Sequence, residues 1–237
     1  MTAPALSVLM PVFNEIGTIA AILQAVERAL PGVEKEIIVV DDGSTDGTRD
    51  WLRQNVGGGG PVKLFLHDRN QGKGAAVRTA MAAATGAVIV LQDADLEYDP
   101  TDWAEMYALI AERKVADVVY GSRFYGRPHR SLYFHHYAGN RLLSTLFNIL
   151  YNQTLMDIET CYKMFTREVL QSLNLTASDF GIEVQLSAQI ALARRWRIYE
   201  MGIQYFGRTY NEGKKINWTD GAKALWYLFR YRFRPGN

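Results

Sequence analysis

With 237 residues, 48% of them hydrophobic and 22% charged, the chain has enough apolar material for a proper core, in one large domain or two small ones. A formal net charge of +1 argues against a general nucleic-acid binder. The single cysteine, Cys161, rules out an intrachain disulfide and suits a reducing compartment.

The N-terminus lacks the basic and apolar regions of a signal peptide. No window reaches the ~18 unbroken apolar residues of a membrane span, because Leu142 to Tyr151 is interrupted by Ser144, Thr145 and Asn148. The expectation is a chain that does not cross a membrane but can lie on one. Leu6 to Phe13 predicts a first strand, and Ile16 to Leu30 a helix that stops at Pro31-Gly32. Glu36 to Asp41 predicts a second strand, Thr48 to Val56 a helix, Gly57 to Pro61 a flexible loop, and Val62 to Leu66 a third strand. Lys73 to Ala84 is a helix of small residues, able to approach a sheet closely. Val88 to Leu91 is a continuous apolar run, the pattern of a strand buried on both faces. A helix from about Asp102 to Glu112 and a fifth strand from Asp117 to Gly121 follow. Strands alternating with helices imply a parallel α/β sheet, and ligands of such sheets bind beyond the C-terminal strand ends. Asn14-Glu15, Asp41-Asp42, Asn70 to Lys73 and Asp93 to Asp95 all fall at such ends.

After Tyr120 the pattern changes. Arg123 to Tyr137 is basic and aromatic, with His129, His135 and His136; the adjacent pair is poorly placed to share a metal and reads as surface or interface. Asn140 to Asn152 and Phe180 to Arg194 predict helices, and Thr160 to Thr166 and Arg197 to Phe206 strands. Gly207 to Lys215 reads as a polar lid. Asn217 to Arg234 closes the sequence with aromatics among lysines and arginines.

The acids after the apolar run carry the first chemical signal. In an extended chain Asp93, Asp95 and Glu97 share a face, and three such carboxylates repel one another without a cation among them. Their oxygens suit Mg²⁺ or Mn²⁺; a solvated acidic turn is the plainer alternative. Two phosphate motifs fail. Gly72-Lys73 is followed by Gly74 rather than Ser or Thr, and the first strand leads into Phe13-Asn-Glu-Ile-Gly17 with no dinucleotide fingerprint.

Pro11-Val-Phe-Asn-Glu15, Val40-Asp-Asp-Gly-Ser-Thr-Asp-Gly47, Asn70-Gln-Gly-Lys-Gly74, Asp93-Ala-Asp95 and Gly121-Ser-Arg123 form an ordered set. It resembles the successive blocks of inverting family 2 glycosyltransferases of the GT-A fold. Asp157-Ile-Glu-Thr-Cys-Tyr-Lys163, Phe180-Gly-Ile-Glu183 and Arg208 through Lys215 are similar to the polyprenyl- and dolichyl-phosphate sugar transferases, the dolichol-phosphate mannose synthase group. The resemblance implies one GT-A-like (Rossmann-like) α/β domain over 1–237, with a mostly parallel sheet flanked by helices. Residues 1–121 would bind the nucleotide-sugar, and 122–237 the acceptor, with a lid and amphipathic C-terminal interface helices.

It further implies base and ribose contacts at Pro11, Phe13, Glu15 and Asp41 or Asp42, with Lys73 near the nucleotide or its phosphates. Asp93, Asp95 and Glu97 would hold Mg²⁺ or Mn²⁺, which stabilises the departing nucleoside diphosphate. Arg123, Arg141 and Arg208 are the cations for an acceptor phosphate, and Lys214 or Lys215 would close the lid. Asp157 and Glu183 would contact the sugar or orient arginines; a structural salt bridge is the alternative for both. The implied reaction moves a sugar from GDP-mannose or a UDP-hexose to dolichyl or undecaprenyl phosphate. The enzyme would work at the cytoplasmic membrane face as a peripheral protein, with a homo-oligomer open. Leu132 to Tyr151 and Trp218 to Phe233 would meet the bilayer or a partner. A sister enzyme with a soluble saccharide acceptor and a non-catalytic lipid- or partner-binding scaffold are the two rivals.

Overall fold

The computed structural model describes residues 4–56, 60–131, 133–209 and 218–233. Seven strands form one sheet: β1 (Leu6–Val12), β2 (Lys35–Asp41), β3 (Val62–Leu66), β4 (Val88–Leu91), β5 (Val118–Ser122), β6 (Lys163–Thr166) and β7 (Ile198–Gly202). Their order is β3-β2-β1-β4-β6-β5-β7. All neighbours are parallel except those of β6, which runs antiparallel to both β4 and β5. Apolar periodicity carries no strand direction, so this reversal is not visible in the sequence. It matters for the site. Because β6 is reversed, the segment that precedes it arrives at the same rim as the C-terminal ends of β1, β2, β4 and β5.

The central strands β1 and β4 are buried almost throughout, which accounts for their unbroken apolar runs. Helices α1 (Ile19–Arg28), α2 (Thr48–Asn55), α3 (Lys73–Ala83) and α4 (Trp103–Tyr107) punctuate the first half. The α1 stripe of Ile19, Ile22, Leu23 and Val26 is buried. The small side chains of α3 let it settle on β1 and β2. The helix expected over 102–112 is subdivided: a 3₁₀ turn at Pro100–Asp102, then α4, then a wider turn at Ala108–Glu112.

In the second half come α5 (Phe134–Tyr151), α6 (Arg167–Ser172), α7 (Gly181–Ala193) and α8 (Trp218–Phe233). Helix α5 starts six residues before the expected Asn140, running through Gly139 with nothing near that glycine's missing side chain to forbid the helix. Helix α7 is buried nearly all round and lies between α3 and α8. Among the described residues, no helix is long and apolar enough to cross a membrane.

At the rim opposite the site, a single carboxylate ties the first three strands together. Glu36 on β2 accepts from Ser7 Oγ of β1, from the Thr85 amide and hydroxyl, and from the Gly86 amide in the turn entering β4. Lys63 of β3 adds its ammonium at 2.6 Å. Burial alone would raise the Glu36 pKa, but these donors outweigh it and hold it down at about 2, against an ordinary 4.5. A depressed folded pKa contributes stability above the ordinary value that is lost as pH falls from about 4.5 toward 2. Glu36→Gln is therefore expected to lower unfolding free energy at neutral pH by roughly 1–3 kcal/mol, and to flatten the acid limb of stability measured by urea denaturation. An unchanged acid limb in the variant would remove Glu36 from this role.

Candidate active site

A cleft of about 1070 Å³ opens at the rim where the parallel strands end. Its walls are built in the order of the sheet. Pro11, Val12 and Phe13 continue from β1. The next residues turn sharply: Asn14 has φ 51, and the turn is stitched to the segment after β2. The Asn14 amide donates to Ser44 Oγ at 2.9 Å, the Thr45 amide to Asn14 Oδ1 at 2.8 Å, and the Glu15 amide to Thr48 Oγ1 at 2.9 Å.

The two aspartates ending β2 part company. Asp41 is fully buried and turned away from the cleft, where Arg49 Nε donates to it at 2.7 Å. Asp42 lines the cleft but is already engaged. It accepts from the amides of Gln71 (3.0 Å) and Gly72 (2.8 Å), and His67 Nδ1 lies 2.7 Å away. His67 is braced in turn by Thr79 at 2.9 Å. Asp42 thus holds the loop 70–72 in place, a role that its sequence context as a turn residue does not disclose.

That loop explains its own glycines. Gly72 has φ +95, and a Cβ there would overlap the Ser178 carbonyl; at Gly74 it would overlap the Ala177 carbonyl. The start of α3 is thereby pressed against the segment leading into α7, and Lys73 is placed between two acids. Its Nζ lies 2.9 Å from Asp93 and 3.3 Å from Glu183. Burial works to lower the Lys73 pKa, but the charges of Asp93 and Glu183 outweigh it and hold it well above the ordinary lysine range. Glu183 also accepts from the fully buried Lys163 at 2.5 Å.

Beyond β4, Asp93, Asp95 and Glu97 all reach the cleft. Burial, together with the neighbouring charges of Asp93 and Glu97, pushes the Asp95 pKa up to about 7. Arg208 opposes that push. Its guanidinium meets Asp95 at 3.0 Å, Glu15 at 3.2 Å and Glu97 at 3.4 Å, and its amide donates to Glu97 at 2.9 Å. The donor set is all oxygen and carries surplus buried negative charge, which fits a hard divalent ion. Among the described residues, however, no three acids converge closely enough to hold one as they stand. Asp93 and Asp95 each face a protein cation instead.

Arg123, after β5, lines the far wall with its fork closed on Asp157 through two 2.7 Å bonds. Burial acts to lower its pKa, and Asp157 more than compensates. Asp157 itself is fully buried and off the cleft, and the amides of Met156 and Asp157 are fixed by Glu200. Arg141 is not on the cleft wall; it donates to the Met156 carbonyl at 3.3 Å. His135 and His136, expected at a surface or interface, line the cleft mouth at the start of α5. Lys214 and Lys215 lie outside the described residues. Of the expected residues the cleft therefore gathers Pro11, Phe13, Glu15, Asp42, Lys73, Asp93, Asp95, Glu97, Arg123, Glu183 and Arg208. Residues that the sequence reading did not single out also line it, notably Tyr98, Asn140, Glu159, Phe180 and Tyr205.

A family model described as "Glycosyl transferase family 2" matches residues 7–173, which include the elements on which most of this cleft is built. The chain belongs to glycosyl transferase family 2. Among relatives of the chain is "Glycosyltransferase AglJ" of Haloferax volcanii, 33% identical over 191 residues, 80% of this chain and 59% of that one. Another is a dodecaprenyl-phosphate galacturonate synthase of Rhizobium johnstonii, 25% identical over 98% of this chain and 69% of that protein. The chain thus spans little more than half the length of the first of these. Among solved structures, the glucosyl-3-phosphoglycerate synthase of Mycobacterium tuberculosis bound to Mn²⁺, UDP and phosphoglyceric acid is similar. It matches with a TM-score of 0.73 over 97% of this chain and 78% of that one, at 19% identity. The fold of the chain is therefore GT-A-like.

The Arg123–Asp157 pair offers a direct check on how the far wall is held. Removing one partner of a buried pair strands the other charge, at roughly 3–5 kcal/mol. Asp157→Ala is expected to cost about that much in chemical denaturation, and Arg123→Lys to restore little of the wild-type geometry, because an ammonium cannot form the two-pronged contact. A loss below about 1 kcal/mol in Asp157→Ala would show that the pair contributes nothing beyond a surface ion pair.

Proposed function

We propose that this glycosyltransferase moves a hexose from a nucleotide diphosphate donor to a polyprenyl phosphate at a membrane surface, with inversion at the anomeric carbon. The observation that carries the acceptor class is the setting of the cleft mouth. It is bordered by α5 and α8, which face inward with Leu143, Phe147, Ala224, Leu228 and Tyr231 and outward with bare aromatic and aliphatic side chains. Phe134 is 79% exposed, Ile149 73% and Phe233 68%, with Leu142, Trp226 and Phe229 also exposed and Arg230 lying 4.8 Å over the Trp226 ring. Such faces suit the headgroup level of a bilayer, aromatic groups inward and cations toward anionic lipid. The relative that carries dodecaprenyl phosphate in its name supports the same class.

In this reading residues 1–121 form the donor half and 122–237 the acceptor half. The base and ribose lie against Pro11, Phe13, Glu15 and Asp42. Asp93, Asp95 and Glu97 would hold Mg²⁺ or Mn²⁺, which when bound supplies positive charge at the diphosphate. Arg208, whose guanidinium holds Asp95 Oδ2 at 3.0 Å, would give the same diphosphate a second positive charge. Lys73, alongside Asp93, stands where its ammonium can neutralise the departing diphosphate. An acceptor phosphate is already anionic near neutral pH and needs no strong base. One of its oxygens forms the new bond to the anomeric carbon while the bond to the diphosphate oxygen breaks on the opposite face. Arg123 and Arg208 are the cations available to line it up.

The test is transfer of label from GDP-mannose, UDP-glucose and UDP-N-acetylglucosamine to undecaprenyl or dolichyl phosphate in vesicles, with Mn²⁺ or Mg²⁺. The expected result is label in the organic phase with one donor, abolished by chelation and reduced roughly 10²–10³-fold in Asp95→Asn. Transfer to free saccharides but never to lipid phosphate would overturn the acceptor assignment. Full activity in a chelator would overturn the metal assignment.

A further inference from the structure

Most acids on the cleft wall already have cationic partners: Asp93 has Lys73, Glu183 has Lys163 and Lys73, and Asp95 has Arg208. Glu159 does not share this pattern. It lies just ahead of β6 and lines the cleft, yet its Oε1 is buried and meets no donor. Lys163, its charged neighbour on β6, spends its ammonium on Glu183 and the Thr160 carbonyl. Arg123 spends its guanidinium on Asp157 and Asn140. Burial pushes the Glu159 pKa up to about 7, with Lys163 opposing and Glu183 adding to the shift. A buried acceptor left without a donor is costly, and proteins keep such a group where a ligand completes it.

The chemistry of that ligand follows from what a carboxylate can accept. Ionised, it takes hydrogen bonds from hydroxyl or N–H groups; protonated, it also gives one, and hydroxyl groups serve it in both states. Position narrows this further. The sheet order sets Asp42 after β2 and Glu15 after β1 on one side of β4, with Glu159 ahead of β6 on the other. Resting on the donor reading above, the base and ribose lie on the first side and the diphosphate at β4. The next donor-bearing part of a nucleotide-sugar is the transferred ring itself. We propose that Glu159 is the specificity-determining contact to that ring, its carboxylate accepting hydrogen bonds from hexose hydroxyls.

The test compares wild type with Glu159→Gln and Glu159→Ala in the full chain with Mn²⁺. Affinities are measured by calorimetry for GDP, UDP, GDP-mannose, UDP-glucose and UDP-N-acetylglucosamine. Wild type is expected to hold one nucleotide-sugar more tightly than its nucleoside diphosphate. Both variants should keep the diphosphate affinity within about 2-fold and lose roughly 10–100-fold for that nucleotide-sugar. Retained diphosphate binding shows that the variants fold. If sugar-nucleotide and diphosphate affinities are both unchanged, or fall in parallel, Glu159 is structural and the inference fails while the donor reading stands. If wild type holds no nucleotide-sugar above its diphosphate, the ring contact is refuted as well. If wild type binds none of the five, the donor reading itself fails and this inference falls with it.

Discussion

Crowded negative charge at the end of one inner strand governs how the rest of this molecule is arranged. Asp93, Asp95 and Glu97 fall within five residues just past β4, partly shielded from the water that would screen their repulsion, and at Asp95 burial adds to the push of its two neighbours. Each is answered by a cation brought from far away in sequence: Lys73 from the start of α3, Arg208 from beyond β7. The same alternation continues inward through Glu183 and Lys163, so that a chain of opposite charges runs from the cleft floor into α7 and β6. These pairs sit in low dielectric, where a broken one is far more expensive than a formed one is beneficial. That asymmetry makes the set a strong constraint on register and placement even if its net contribution to stability is small.

The cations can reach the acids only because backbones approach closely elsewhere. Gly72 and Gly74 let α3 touch the segment at 177–179, and Gly181 leaves room for the Tyr227 ring, seating α8 on the start of α7. Tyr227 then donates to Asp179 at 3.0 Å, closing the ring of contacts around the cleft mouth. The Gly-Lys-Gly sequence fails as a phosphate loop, and its glycines answer to carbonyl oxygens of the protein. That packing sets Lys73 between Asp93 and Glu183.

Much of this was legible in the sequence, and the limits have physical causes. Strand and helix positions follow hydrophobic period, so β1 to β7 lie close to the runs that announce them, while the reversal of β6 leaves no trace in that period. The ordered polar blocks pointed to the rim where the cleft opens and to the family. They did not separate Asp41 from Asp42, because adjacent residues on a strand point to opposite faces and either face could have been the cleft. Glu159 escaped notice for a related reason. It stands two residues from Asp157, and nothing in the letters shows that Arg123 saturates one acid and leaves the other unanswered. Burial and pairing are properties of three-dimensional neighbours, and only they distinguish a wall acid from a site acid.

Arg208 is where these threads meet. It holds Glu15 from the first turn, Asp95 and Glu97 from the fourth strand end, and it belongs to the stretch leading to 210–217. One guanidinium therefore joins the β1 side of the cleft to its acidic centre. On Asp95 the arginine holds Oδ2 alone, while Oδ1 accepts from the Glu97 amide. A divalent ion held at Asp95 would face the guanidinium across this one carboxylate, and the repulsion between the two cations would loosen the grip that now spans Glu15, Asp95 and Glu97.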